Sequence, residues 1–237
     1  EGISAEHLQD YTQIEFYWAY ADYENSMELV EEMYKETAKK VLGSLLFKKD
    51  KFAIDLGKKW VKIRYVDEIK KQAGLDILKA TEKDIKNKLK DLKIEFGNAL
   101  EKPRLIDLLW KSCRKNISGP AFVINPPVEI SPLAKRNAQD PRLVDRYWVV
   151  IAGSELGNGY SELNDPIDQE ERFKKQAEMR ERGDAESQMH DKEFVEALKY
   201  GMPPTTGFGV SERFFAFLMN KPVRECVFFP LLRPKKE

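Results

Sequence analysis

Residues 11–23 read YTQIEFYWAYADY, an aromatic-rich stretch in which polar and apolar residues alternate. Alternation at period two is the mark of a strand with two unlike faces. Tyr11, Gln13, Glu15 and Tyr17 share one face; Thr12, Ile14, Phe16 and Trp18 share the other. An acid and phenols over one face would suit a sheet floor beneath a polar ligand, and equally a sheet with one solvated face. Downstream, residues 24–42 predict an amphipathic helix with Leu29, Met33, Thr37 and Val41 on one stripe and Gly43 as its stop.

Further along, residues 50–64 predict a short hairpin. From Val66 to about Asn116 the text is helical and lysine-rich, which reads as a helical insertion at 66–118 between two halves of a sheet. AFVINPPVEISPL (121–133) predicts a strand running into a proline-punctuated loop. VDRYWVVIAG (144–153) predicts another strand, continued by ELGNGYSEL after a glycine break. Residues 166–200 predict helices, and TTGFGVSERFFAFLMN (205–220) predicts a strand entering an apolar helix. This order predicts an α+β fold, an antiparallel sheet flanked by helices, rather than alternating βαβ units.

Composition narrows the class. Of 237 residues, 42% are hydrophobic and 34% charged, which fits a packed, highly charged globular chain and excludes a disordered one. Forty basic residues balance forty acidic ones, so any contact with a polyanion has to come from local patches. Cys113 and Cys226 form no CxxC pair, which argues against a disulfide framework or a cysteine zinc site and predicts a reducing, cytoplasmic setting. No run of about 18 apolar residues predicts a membrane span.

Three segments carry chemistry. In SELGNGYSELND (154–165), Glu155 and Glu162 are seven apart, which puts them on opposite faces of an unbroken strand. A bulge in Gly157-Asn158-Gly159 would shift the register and bring both acids to one side. Asn158, Tyr160 and Glu162 share a face already. Two carboxylates without a nearby His or Cys suit a hard cation such as Mg²⁺, held jointly with substrate phosphates, or else a polar strand end. In GFGVSERFF (207–215), two close glycines let backbone approach a ligand, and Arg213 near a helix start suits a triphosphate; a tight strand-to-helix junction with a surface arginine reads equally well. The segment lacks the third glycine of a dinucleotide fingerprint and the GK[ST] of a phosphate loop. His7, in EGISAEHLQD, reads as a loop histidine.

Taken in order, four segments resemble the class II lysyl-tRNA synthetases. EGISAEHLQDYTQIEFYWAYADY (1–23) resembles their motif 2, VEISPLAKRN (128–137) their EVSPLA segment, and GSELGNGYSELNDPIDQEERF (153–173) their lysine- and metal-binding stretch. GMPPTTGFGVSERFF (201–215) resembles their motif 3, and VFFPLLRP (227–234) their terminal FP-x-x-RP tail. The resemblance covers 1–43 and 119–237 and is weaker through 44–118.

The resemblance implies that residues 1–237 are a partial class II catalytic domain. The activity it implies is lysine–tRNA ligation. The lysine carboxylate attacks the α-phosphate of ATP, pyrophosphate leaves, and the lysyl group passes to tRNA(Lys). It implies Glu1, His7, Tyr11, Glu155 and Arg213 at ATP, with Tyr11 on adenine and Arg213 at the γ-phosphate. Glu15, Tyr17, Asn158, Tyr160 and Glu162 would face lysine, and Glu155 and Glu162 would hold Mg²⁺; Glu162 could instead meet the substrate ammonium. Glu155, Glu162 and Arg213 are the expected catalytic set. The full-length parent would be a homodimer.

Some features depart from the family pattern. The motif 2 arginine at the α-phosphate, the upstream acid that helps recognise lysine, motif 1 and the anticodon-binding domain would all precede Glu1, so this chain alone is expected to be inactive or nearly so. Leu8 stands where the family commonly has Asn, and motif 3 is one residue short before Glu212-Arg213. Two other functions fit the same residues, a paralogue that lysylates an elongation factor and a non-catalytic binding module. Such paralogues usually lack most of the insertion at 44–118.

Overall fold

A computed structural model describes residues 4–97, 100–184, 187 and 189–230. Strand β1 (Gln13–Ala19) leads into helix α1 (Tyr23–Leu42), and a two-stranded hairpin follows, β2 (Leu46–Lys49) with β3 (Phe52–Asp55). Next come β4 (Val61–Arg64) and three helices, α2 (Tyr65–Ala73), α3 (Glu82–Asp91) and α4 (Lys102–Arg114). The chain continues through β5 (Ala121–Ile124), β6 (Arg146–Ile151), β7 (Ser154–Ser161), α5 (Pro166–Glu181), α6 (Lys192–Lys199), β8 (Thr205–Ser211) and α7 (Arg213–Leu218).

Six strands form the main sheet in the order β1-β8-β7-β6-β5-β4. Every pair is antiparallel except β4 and β5, which run parallel because α2–α4 carry the chain across between them. The expected hairpin at 50–64 therefore lies at 46–55 instead, and 61–64 joins the main sheet. The expected continuation of the 144–153 strand is also a reversal. Ala152 and Gly153 take φ values of 49° and 74°, a left-handed pair that turns β6 back into β7.

Helix α1 is fixed at both ends. Asp22 caps its first turn in a capping box with Asn25, and Gly43 ends it at φ 69°. Its buried face is Met27, Val30, Tyr34 and Ala38, one position round from the expected stripe, and Leu29 is exposed. Those residues pack with Phe208 and Val210 of β8, Tyr147 and Val149 of β6, and Phe214 of α7 to cover one sheet face. A second core covers the other face over β4, β5 and β6, where Tyr65, Ile69, Leu105, Leu109 and Trp110 meet Ile63, Ala121, Val123 and Val150. Over β1, β8 and β7 that second face is left open, and the site lies there.

Candidate active site on the open sheet face

Register puts the expected residues into rows. Glu15 of β1 lies opposite Gly209 of β8, which lies opposite Asn158 of β7. Tyr17, Gly207 and Tyr160 form the next row. Phe208 and Val210 point into the core, so the glycines between them face the site and leave a trough between two ridges of side chains. A Cβ at Gly207 would come within 3.0 Å of the Tyr17 ring and would also meet the Glu162 carboxylate.

The bulge offered as one reading of the glycines between Glu155 and Glu162 is present. Trp148 pairs with Asn158 and Val150 with Glu155, so three steps on β7 oppose two on β6. Leu156 packs in the core, and a Cβ at Gly157 would fall 2.6 Å from the Tyr34 hydroxyl and 2.8 Å from the Phe208 ring. Two successive residues thus face the core, which brings Glu155 to the same side as Asn158, Tyr160 and Glu162.

Two adjoining cavities occupy this face. The larger, about 270 Å³, is lined by His7, Tyr11, Glu155, Asn158 and Arg213 among others. The smaller, about 90 Å³, is lined by Glu15, Tyr17, Asn158, Tyr160, Glu162 and Gly207. Gln13, Asn158 and Gly209 line both and mark the junction. The expected ATP residues and the expected lysine residues are therefore sorted into two neighbouring spaces. Glu1 and residues 231–234 of the terminal tail lie outside the described residues.

The larger cavity brings together residues far apart in sequence. Arg213, first residue of α7, forms an ion pair with Glu6, and its Nη1 lies 3.5 Å from His7 Nε2. His7 Nδ1 is 2.8 Å from the Ser4 hydroxyl. Burial alone would raise the Glu6 carboxyl, but Arg213, the Ser154 hydroxyl and Arg114 hold it below its usual range. Leu8 packs against Ala216 and Val223, an apolar anchor beneath this loop. Tyr11 is about half exposed at the rim.

The smaller cavity is acidic. Glu162 has one oxygen buried without a hydrogen-bond partner. Its carboxyl is pushed up to about 7 by burial and by the Glu15 charge. Burial, Glu162 and Glu15 also raise the Tyr17 phenol. Gln13 donates to Glu15. Among the described residues, no lysine or arginine lines this cavity.

The metal expectation meets a divided geometry. Glu155 and Glu162 share a face but line different cavities, Glu155 with Arg213 and Glu162 with Glu15. Among the described residues no group of three His, Cys, Asp or Glu is placed to hold a metal ion. Glu155 offers an Oε2 with no hydrogen bond among the described residues, since Trp110 Nε1 donates to its Oε1 at 2.6 Å and Arg114 Nε lies 3.6 Å from that same oxygen. One such carboxylate beside a triphosphate fits Mg²⁺, which takes few protein oxygens and keeps phosphates and waters as its other ligands.

Sequence reasoning missed Arg146. Its guanidinium donates to Asn158 Oδ1 at 3.1 Å and to the Ser131 hydroxyl at 3.0 Å, and lies 4.5 Å from the centre of the Trp148 ring. It thereby ties the VEISPL turn to the strand bearing Asn158. Behind it, Arg172 of α5 donates to the carbonyls of Ser131 and Ala134 and pairs with Asp168, which also holds Arg136. The one signal in sequence was Arg146 two residues before Trp148, on the alternation that faces the site.

The fold is a mostly antiparallel six-stranded sheet, open over part of one face, with an acid-lined space beside an arginine-bearing one. The chain belongs to the tRNA synthetases class II (D, K and N), the family it matches over residues 1–233. It is 44% identical over 238 residues to a lysine–tRNA ligase of Thermosipho africanus (strain TCF52B), covering 99% of this chain and 47% of that protein. Lysine–tRNA ligases of Thermotoga maritima and Bacillus mycoides are 43% and 40% identical over 100% of this chain, which covers 47% and 48% of them. The chain thus spans about half the length of the curated relatives it matches. No helix among the described residues is long and apolar enough to cross a membrane.

Proposed function

We propose that this chain supplies the lysine- and ATP-binding face of a cytoplasmic, homodimeric lysine–tRNA ligase, which activates lysine with ATP and passes it to tRNA(Lys). The observation that carries this reading is the small cavity with two acids, which among the described residues has a buried carboxylate oxygen without a partner and no basic residue in its wall. Two neighbouring carboxylates, one exposed on β1 and the other partly buried, repel each other unless a cation joins them. An ε-ammonium between Glu15 and Glu162 would satisfy both, with the Tyr17 and Tyr160 phenols flanking its stem. That use assigns Glu162 to the substrate ammonium and leaves Glu155 as the carboxylate beside the nucleotide.

With the side chain so placed, the lysine carboxylate would lie toward Gln13, Asn158 and Gly209, where the cavities join. Activation forms a bond from that carboxylate to the α-phosphorus and breaks the bridge to the β-phosphate. Arg213 and His7 would bind the outgoing end of the triphosphate, Arg213 exchanging Glu6 for phosphate, and Tyr11 would lie against adenine. Glu155, together with the phosphates, would hold Mg²⁺, which would supply charge neutralisation. Catalysis by this face is mainly positioning.

Titration calorimetry with lysine and with norleucine, the same chain lacking the amine, tests the reading. Lysine should bind and norleucine should not, and Glu15→Gln or Glu162→Gln should weaken lysine binding at least about 10-fold, as expected for a charged hydrogen-bond pair. Equal binding of both amino acids, or of neither, sinks it.

A further inference from the structure

The last helix of the α2–α4 segment reaches the nucleotide side of the site. In α4, Leu105, Ile106, Leu109 and Cys113 are ordinary core residues. Trp110 does more. Its ring lies 4.6 Å from Tyr65 and 6.4 Å from Trp148, and its Nε1 donates to Glu155 Oε1 at 2.6 Å. One helical turn on, Arg114 Nη1 donates to the Gly153 carbonyl at 2.7 Å, and its Nε is 3.6 Å from the same Glu155 oxygen. Spacing of four puts both residues on one side of the helix. The indole N–H can only donate, and here its acceptor is a carboxylate that lines the larger cavity.

From this convergence we infer that Trp110 and Arg114 are positioning residues for Glu155, so that α4 forms part of the nucleotide site. The inference rests on the proposed function, because it takes Glu155 as the carboxylate that meets the Mg²⁺–triphosphate. One hydrogen bond, from Trp110, and one ion pair, to Arg114, converge on a single oxygen, hold the carboxylate and leave the other oxygen for the incoming cation. A residue behind a metal ligand typically changes affinity by 10- to 100-fold when removed.

The test is calorimetry of ATP binding across a Mg²⁺ series, with lysine binding and thermal melting as controls. Trp110→Phe keeps an aromatic ring, though a smaller one, and deletes the N–H. Arg114→Gln removes the charge, and Arg114→Lys partly restores it. The inference expects Trp110→Phe and Arg114→Gln to weaken Mg²⁺–ATP binding about 10-fold or more. Higher Mg²⁺ should be needed for half-saturation, lysine affinity should be unchanged, and Arg114→Lys should recover part of the loss. A role in packing alone would lower the melting temperature without moving the Mg²⁺ dependence. Wild-type Mg²⁺ dependence in both variants overturns the inference while leaving the proposed function intact. A folded wild-type chain that binds no ATP overturns the nucleotide-site reading and the inference with it. If Trp110→Phe does not fold, Arg114→Gln and its lysine counterpart decide alone.

Discussion

Glu162 shows how a single side chain can be made expensive for the sake of a ligand. Its carboxyl sits at about 7, above the ordinary 4.5, because burial and Glu15 both oppose its charge. The folded state therefore holds a proton that the unfolded chain releases between about pH 4.5 and 7, so stability falls as pH rises through that window. Glu162→Gln should raise the melting temperature of the free protein at pH 8 but have little effect at pH 4; the size of the effect at pH 8 is on the order of 1–3 kcal/mol. Lysine affinity should move the opposite way, weakening below about pH 7 in the wild type, with that dependence absent in Glu162→Gln. A melting temperature lowered by the substitution at pH 8 would contradict the account. Asp168 is the reverse case. Despite its burial, hydrogen bonds from Arg172 and Arg136 hold it at about 2, so its stabilising contribution is present above the usual carboxylate range and is lost as pH falls through it.

At the scale of elements, what could be read in advance was local. Alternation marked β1, Gly43 marked the end of α1, and the glycines between Glu155 and Glu162 offered the bulge that β7 contains. What escaped was non-local. The parallel pairing of β4 with β5 joins segments separated by three helices, and no local pattern announces it. The buried stripe of α1 was misjudged because Tyr34, an amphipathic residue, buries its ring in the core and gives its hydroxyl to the Leu156 carbonyl. Trp110 and Arg146 escaped for the same reason, since their partners lie 45 and 12 residues away. The bulge makes a sharp prediction. Gly157→Ala would push a methyl into Tyr34 and Phe208, and urea unfolding should show a loss of about 1–3 kcal/mol. An unchanged midpoint would mean that the bulge has room to spare.

For the whole molecule, the sheet is closed by helices on one face and by α2–α4 on part of the other, and β1 is left as an edge strand. Ile14 and Trp18 of that strand are 64% and 44% exposed, and an apolar edge with free backbone groups invites pairing with another chain. Light scattering should show concentration-dependent association that Ile14→Lys reduces; identical scattering from both proteins would place the association elsewhere. The larger cavity has a further property. Its walls are sewn from two ends of the described chain: Glu6 to Arg213, Thr12 to Glu212, Ala5 to Val223. Arg213 and Glu6 are 207 positions apart, whereas the second core is built wholly within residues 63–150. Order of synthesis therefore becomes order of competence. A growing chain can assemble the insertion core long before translation reaches β8, but the larger cavity does not exist until residues 205–223 have emerged and closed back on the first strand.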